Sequence, residues 1–156
     1  MLAFALLLSL QTAPDVELVK TPAAMQQLLS NAKGKPLLVH FWATWCDSCV
    51  EELPRLAKDA RGWAEQGVVL VFVSVDDPKH IDDKVRSLLH QENITFQTYL
   101  ADVPDTEALM KMVDRSWNGT IPSTFVSNRR GERTGRFIGP APEKKLNDAV
   151  VKALAR

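Results

Sequence analysis

Cysteine is scarce in this chain, with two among 156 residues, Cys46 and Cys49. Two cysteines exclude a disulfide-stapled scaffold, and they cannot complete a four-cysteine zinc site because no second pair exists. A structural bridge is a poor explanation, since closing so short a loop removes little entropy from the unfolded chain. His40, His80 and His90 lack the close spacing of zinc-finger histidines, so no metal site is expected. The pair therefore indicates a dithiol that cycles between reduced and oxidised states.

The chain also lacks a net charge, because 19 Lys and Arg residues balance 19 Asp and Glu residues. No overall field attracts nucleic acid or an anionic membrane, so neither is expected as a partner. Residues 129–156 are locally basic, with eight Lys and Arg against three Asp and Glu. We interpret that excess as a solvated hairpin and helix.

No apolar run is long enough to predict a membrane span. Residues 2–10 form a short one, whose length suits the hydrophobic region of a signal peptide, although no Lys or Arg precedes it. We expect residues 1–13 to be a signal peptide or an apolar N-terminal segment, and residues 14–156 to form one domain. Such a protein would be periplasmic or otherwise exported, with a cytoplasmic location as the alternative.

Buried strands and amphipathic helices alternate along the sequence. Apolar runs at residues 37–42 and 68–75 predict buried parallel strands. A short turn joins segments 123–127 and 133–137, which predicts an antiparallel pair. Helices are expected after Thr21 and Cys46, from Ile81, over residues 106–113 and from Pro142. A further strand is expected at residues 94–100. Asp76 and Asp77 are expected to cap the helix that follows them. The order predicts an α/β fold with a central mixed β-sheet and helices on both faces.

Cys46 lies where a buried strand ends and a helix begins. Main-chain N–H groups and the positive end of the helix favour a thiolate there and lower the pKa of the Cys46 thiol. Cys49 is one turn into the helix and should point inward. We therefore predict that Cys46 is the attacking thiol and Cys49 the resolving thiol.

Two motifs carry a resemblance to a known family. Residues 41–49, Phe-Trp-Ala-Thr-Trp-Cys-Asp-Ser-Cys, resemble the active-site stretch of thioredoxin-like proteins, and residues 120–125, Thr-Ile-Pro-Ser-Thr-Phe, resemble their cis-proline loop. With Glu51-Glu52-Leu53-Pro54, the pattern is most similar to the TlpA/ResA-type thiol-disulfide oxidoreductases. The resemblance implies a thioredoxin fold and an enzyme of the protein-disulfide reductase type. It also implies protein disulfide or dithiol substrates, an upstream electron-donor protein and no cofactor beyond the redox-active Cys46–Cys49 disulfide; we expect a monomer.

The resemblance also assigns residues to the site. Pro122 would be the cis-proline that faces the dithiol, and it would leave the main chain of Ile121 free to pair with an extended substrate. Thr120 and Trp45 would complete the substrate-binding surface, with Trp45 covering one side of the dithiol.

Two further residues have more than one interpretation. Glu52 aligns with an acidic residue that could take the proton of Cys49, or it is a solvated helix residue. His40 occupies the position of a buried acid in thioredoxins. We favour a core imidazole bonded to a main-chain carbonyl over a proton relay that titrates near neutral pH.

Two other functions are compatible with a protein of this fold. A copper-delivery or assembly factor would use the thiols as soft ligands, but such factors space their cysteines CxxxC with a distal His. A peroxidase would need a lone cysteine supported by Thr and Arg. The direction of electron flow stays open, because Asp47 opposes a thiolate at Cys46 whereas the Ser48 hydroxyl could donate to it.

Overall fold

The computed structural model describes residues 15–155. The predicted signal peptide or apolar segment at residues 1–13 lies outside them. The strands are β1 (Val16–Val19), β2 (Leu37–Trp42), β3 (Val69–Ser74), β4 (Thr98–Ala101), β5 (Ser123–Ser127) and β6 (Arg133–Ile138). The α-helices are α1 (Pro22–Asn31), α2 (Asp47–Glu65), α3 (Ser87–Gln91), α4 (Thr106–Lys111) and α5 (Glu143–Leu154).

The strands form one mixed sheet in the order β1-β4-β3-β2-β5-β6. The first four in this order are parallel, and β5 and β6 run antiparallel to their neighbours. The predicted mixed sheet is confirmed. Strand β1 was not predicted, because its buried residues Val16 and Val19 are three positions apart and lack the alternation of a half-buried strand.

Helices cover both faces of the sheet, as predicted. Side chains of successive residues on a strand point to opposite faces. Leu38 and Trp42 of β2 pack in the core shared with α2, α3 and α5. Val39 and Phe41 pack in the core shared with α1 and α4. Because β2 is central, the residues that follow its carboxyl end are held from both sides.

The segment after β3 differs from the prediction. In place of one helix from Ile81, the chain makes a 3-10 turn (Pro78–His80), a π-helix (Ile81–Arg86) and then α3. The strand expected from residue 94 begins at Thr98. Asn93 adopts a positive φ of 53°, and the Ile94 N–H donates to the Leu89 carbonyl, so Ile94 is buried in the cap of α3 rather than in a strand.

Candidate active site

The two cysteines form a disulfide at the start of α2, directly after the carboxyl end of β2. Cys46 is the N-cap residue, and its Sγ accepts the N–H of Cys49 at 3.3 Å. The hydroxyl of Ser48 lies 3.7 Å from the same sulfur. Cys46 is partly exposed, whereas Cys49 is fully buried. The sulfur of Cys46 is therefore the one that a protein substrate can reach.

Asp76 fixes the loop that carries Cys46. Its carboxylate accepts the N–H of Thr44 at 2.9 Å, the hydroxyl of Thr44 at 2.5 Å and the hydroxyl of Ser74 at 2.7 Å. The prediction that Asp76 caps the following helix is wrong, because its carboxylate is buried and turned back to the loop. Asp77 alone is the cap, since its side chain accepts the N–H of Lys79.

The loop over residues 120–122 lies at the same edge of the sheet as Cys46. Strand β5 pairs with β2 so that Ser123 lies opposite Phe41, which places the preceding loop beside the end of β2. The Ile121–Pro122 peptide bond is cis. The main chain is held at Thr120, whose carbonyl accepts the indole N–H of Trp117 and the hydroxyl of Ser123.

The end of β6 lies beside this loop. The carbonyl of Pro122 accepts the N–H of Gly139 at 2.8 Å. Ile138 lies opposite Ser123 and is 37% exposed, and Trp45 is 66% exposed. Within residues 15–155, the N–H and carbonyl of Ile121 have no hydrogen-bond partner. An unpaired main chain thus lies at an edge that also exposes apolar side chains.

Glu52 is buried on α2, three residues after Cys49, so it is not the solvated helix residue of the alternative interpretation. Its Oε2 accepts the N–H of Ala141 at 3.1 Å and lies 3.8 Å from the Arg55 guanidinium. Burial raises the pKa of Glu52 to about 7, against the smaller lowering effects of the Ala141 N–H and Arg55. Glu52 therefore changes its charge near neutral pH while bonded to the loop before α5.

His40 is fully buried on β2 and bonds to a side chain rather than to the main-chain carbonyl that we expected. Its Nδ1 lies 2.9 Å from the hydroxyl of Thr124, the residue opposite it on β5. Its Nε2 is 3.8 Å from Oε1 of Glu52, and neither atom has a hydrogen-bond partner. Burial, assisted by the charge of Arg55, lowers the pKa of His40 to about 3. The imidazole is thus neutral at physiological pH, which contradicts a relay that titrates near neutrality.

The structure brings Cys46, Cys49, Trp45 and the loop around Pro122 to one edge of the sheet, with Glu52 and His40 buried beneath α2. Asp76 was missed as part of this site, although its position at the carboxyl end of a parallel strand was an available signal. No group of three or more His, Cys, Asp or Glu side chains in residues 15–155 is arranged to hold a metal ion. No helix in that range is long and apolar enough to cross a membrane.

Known proteins are similar to this chain in sequence and in fold. Over 141 residues, the chain is 27% identical to the thioredoxin-like protein YneN of Bacillus subtilis, covering 90% of this chain and 77% of that protein. It is 29% identical over 120 residues to the thiol-disulfide oxidoreductase ResA of Bacillus subtilis, covering 77% of this chain and 62% of the relative, which is less than two thirds. A crystal structure of a thiol:disulfide interchange protein of the thioredoxin family from Chlorobium tepidum superposes with a TM-score of 0.66 at 26% identity, over 81% of this chain and 84% of that one.

These similarities confirm the predicted thioredoxin fold and the resemblance to the TlpA/ResA-type oxidoreductases. The sequence profile described as the AhpC/TSA family matches residues 10–132, a range that holds both cysteines, Glu52 and the loop around Pro122. The chain belongs to the AhpC/TSA family.

Proposed function

We propose that this protein is a thiol-disulfide oxidoreductase that reduces disulfide bonds in protein substrates. The observation that carries the proposal is the unequal exposure of the disulfide: Cys46 is accessible at the N-terminus of α2, and Cys49 is buried behind it. The names of the relatives support the same chemistry.

The reaction has two exchange steps. The Cys46 thiolate attacks a substrate disulfide, forms a mixed disulfide and displaces one substrate sulfur as a thiolate. The Cys49 thiolate then attacks Cys46 Sγ, which restores the Cys46–Cys49 disulfide and releases the second substrate sulfur. The substrate gains two electrons, and an upstream dithiol protein returns the pair to its reduced form.

The loop around Pro122 is proposed to hold the substrate. An extended peptide can pair with the free N–H and carbonyl of Ile121, as strands do when they extend a sheet edge. Trp45 and Ile138 offer apolar contacts, and Thr120 adds an exposed side chain on the same loop. Because this pairing uses the main chain, it selects a substrate for its extended conformation more than for its amino-acid sequence.

Glu52 is proposed to accept the proton that Cys49 must lose before it attacks. Its pKa of about 7 lets it act as a base at neutral pH. His40 is proposed as a neutral neighbour that keeps this carboxyl group in a dry environment.

The cellular setting is part of the proposal. The apolar run at residues 2–10 favours an exported, periplasmic protein. We propose that it acts as a monomer, with no cofactor beyond the Cys46–Cys49 pair. Copper delivery is not favoured, because the relatives are oxidoreductases by name.

Insulin reduction tests the function. Dithiol-reduced protein should precipitate the insulin B chain, Cys46→Ser should abolish this activity, and Cys49→Ser should accumulate a mixed disulfide visible on a non-reducing gel. Ser127→Ala, at the opposite end of β5 from the Pro122 loop, serves as the matched control and should retain activity. Full activity in either cysteine variant would refute the mechanism.

A further inference from the structure

A second concave site lies at the far end of the sheet from the disulfide. The cavity has a volume of about 560 Å³ and opens where β2 begins, between the end of α1, the residues after α4 and the β5–β6 hairpin. Leu37 lines it, whereas Cys46 follows the other end of β2. At about 3.3 Å per residue, Leu37 at the mouth of the cavity is ~15 Å from the end of β2 that precedes Cys46. The cavity is therefore separate from the proposed reductase site.

The floor of the cavity is apolar. Leu37 and Val39 contribute from the sheet, Leu29 from α1, and Met112 and Val113 from the segment after α4. These side chains belong to or pack against the core on that face of the sheet. A ligand seated here would bury part of its surface against hydrocarbon, which is favourable in proportion to the apolar area removed from water.

The charged residues that line the cavity all have the same sign. No Asp or Glu among residues 15–155 lines it, although the whole chain is balanced at 19 charges of each sign. The cationic side chains are those of Lys33, Lys35, Arg129, Arg130 and Arg133. In the part of the chain that the structure describes, Arg130 is the one among them with an ion pair, which it forms with Glu132 of the hairpin. Clustered positive charge over a low-dielectric floor strengthens the attraction for an anion.

Arg133 is positioned by neutral groups. Its guanidinium donates to the carbonyl of Val113 at 2.7 Å and to the hydroxyl of Ser127 at 3.2 Å, and it lies 5.1 Å from the centre of the Phe125 ring. Asp114 does not line the cavity but attracts Arg133 electrostatically. Its carboxylate is itself paired with Arg136 at 2.8 Å. Arg133 thus has a fixed orientation, and within residues 15–155 its guanidinium forms no ion pair, since Asp114 is paired with Arg136.

Lys33, Lys35 and Arg129 complete the rim. All three are exposed, and none has an ion pair in the described part of the chain. Like charges held close together without counterions repel one another, and a bound anion would relieve this repulsion. The rim therefore selects for negative charge, and the floor selects for an apolar body.

We propose that this cavity binds an organic anion that joins a carboxylate, phosphate or sulfonate group to an apolar body. Its volume falls in the range of sites for small molecules. The anionic group meets Arg133 and the rim, and the apolar body lies on Leu37, Val39 and Val113. A soluble metabolite and an anionic lipid share this chemistry, so the experiment separates the two sources.

Calorimetric titration with 1-anilinonaphthalene-8-sulfonate tests the site. We expect K35Q/R129Q to raise the dissociation constant at least tenfold, because two of the unpaired rim charges are lost. K145Q/K152Q, which removes two exposed charges from α5 outside the cavity, should leave the constant within twofold. N-phenyl-1-naphthylamine, which lacks the sulfonate, should bind wild type and K35Q/R129Q equally. Equal affinity of the two double variants for the sulfonate would overturn the proposal.

Amide shifts in ¹H–¹⁵N spectra locate the bound probe. We expect them to move at Gly34, Ser127 and Gly131, and not at Trp45. Shifts confined to the cysteine edge would refute the site. Insulin reduction by K35Q/R129Q should equal that of wild type, so failure here is distinguishable from failure of the proposed function.

Two further measurements distinguish a soluble metabolite from an anionic lipid as the ligand. They are titration with dodecyl phosphate below its micelle concentration and sedimentation with phosphatidylglycerol vesicles. Binding of the soluble phosphate alone supports a metabolite, and vesicle binding that K35Q/R129Q abolishes supports a lipid. Binding of neither would overturn the proposal.

Discussion

Glu52 joins two functions in one side chain, because its carboxyl group binds the Ala141 N–H and titrates near neutral pH. Glu52→Gln separates them, since the amide oxygen can still accept that N–H but cannot take a proton. We expect the release of the mixed disulfide to slow by about 10²-fold at pH 8 and to lose its rise through pH 7, as expected for a lost general base. Stopped-flow fluorescence across the pH range measures this.

Glu51→Gln is the matched control for that variant, because Glu51 is the exposed neighbour on the same helix. It should retain the wild-type pH profile. A Glu52→Gln profile that keeps its inflection near pH 7 would show that Glu52 only positions the loop before α5.

Asp76 illustrates a residue whose role depends on a distant partner. Asp76→Asn replaces one of the two acceptor oxygens with an NH₂ group. In place of Oδ2 this group faces the N–H of Thr44 and the hydroxyl of Ser74, and in place of Oδ1 it faces the hydroxyl of Thr44. We expect a loss of about 1–3 kcal/mol in the free energy of unfolding, since a buried donor is left unpaired. Urea unfolding measures the loss, and Asp77→Asn on the exposed cap should show a much smaller one. Equal losses of unfolding free energy in the two variants would contradict the conclusion that Asp76 fixes the loop that carries Cys46.

Helices and strands were predictable to the extent that each has its own local pattern. The strand that leads to Cys46 was clear because five of its six residues are apolar, and the hairpin was clear because a short turn forces antiparallel pairing. Strand β1 lacks a period of two and forms only because β4 offers it a parallel edge. The bond from Asp76 to Thr44 spans 32 residues, and the contact from His40 to Glu52 joins a strand to a helix, so neither leaves a local signal.

The packing of α5 on β6 depends on a glycine in the strand. A Cβ atom on Gly135 would lie 2.6 Å from the Cβ of Ala149 and 2.9 Å from the Phe137 ring. Gly135→Ala should therefore force α5 away from β6 and lower the unfolding free energy by about 1–3 kcal/mol. Thermal or urea unfolding measures the change.

Gly62→Ala provides the control at the level of a helix. Gly62 is inside α2, and beyond its chain neighbours and the local helix backbone no atom of residues 15–155 lies within 4 Å of a Cβ at this position. This variant should gain about 0.5–1 kcal/mol, because alanine is the better helix former. A Gly135→Ala variant as stable as wild type would mean that α5 can shift without loss.

At the scale of the whole molecule, two buried groups have opposite effects on stability as the pH changes. The pKa of Glu52 is raised from 4.5 to about 7 in the folded state, so its contribution is fully present below pH 4.5 and is lost as the pH rises to 7. The pKa of His40 is lowered from 6.5 to about 3, so its contribution is present above pH 6.5 and is lost as the pH falls. Between about pH 4.5 and 6.5, Glu52 therefore takes up a proton when the chain folds, and His40 releases one.

The two effects should cancel between about pH 4.5 and 6.5, which single variants can reveal. On going from pH 7 to pH 5, Glu52→Gln should lose about 2 kcal/mol of unfolding free energy, because only the unfolded state then protonates His40. His40→Asn should gain about 2 kcal/mol over the same range, because only the folded state then protonates Glu52. Urea unfolding at both pH values measures each slope, and the double variant should be as flat as wild type. Parallel slopes in the two single variants would contradict the opposed titrations of this buried pair.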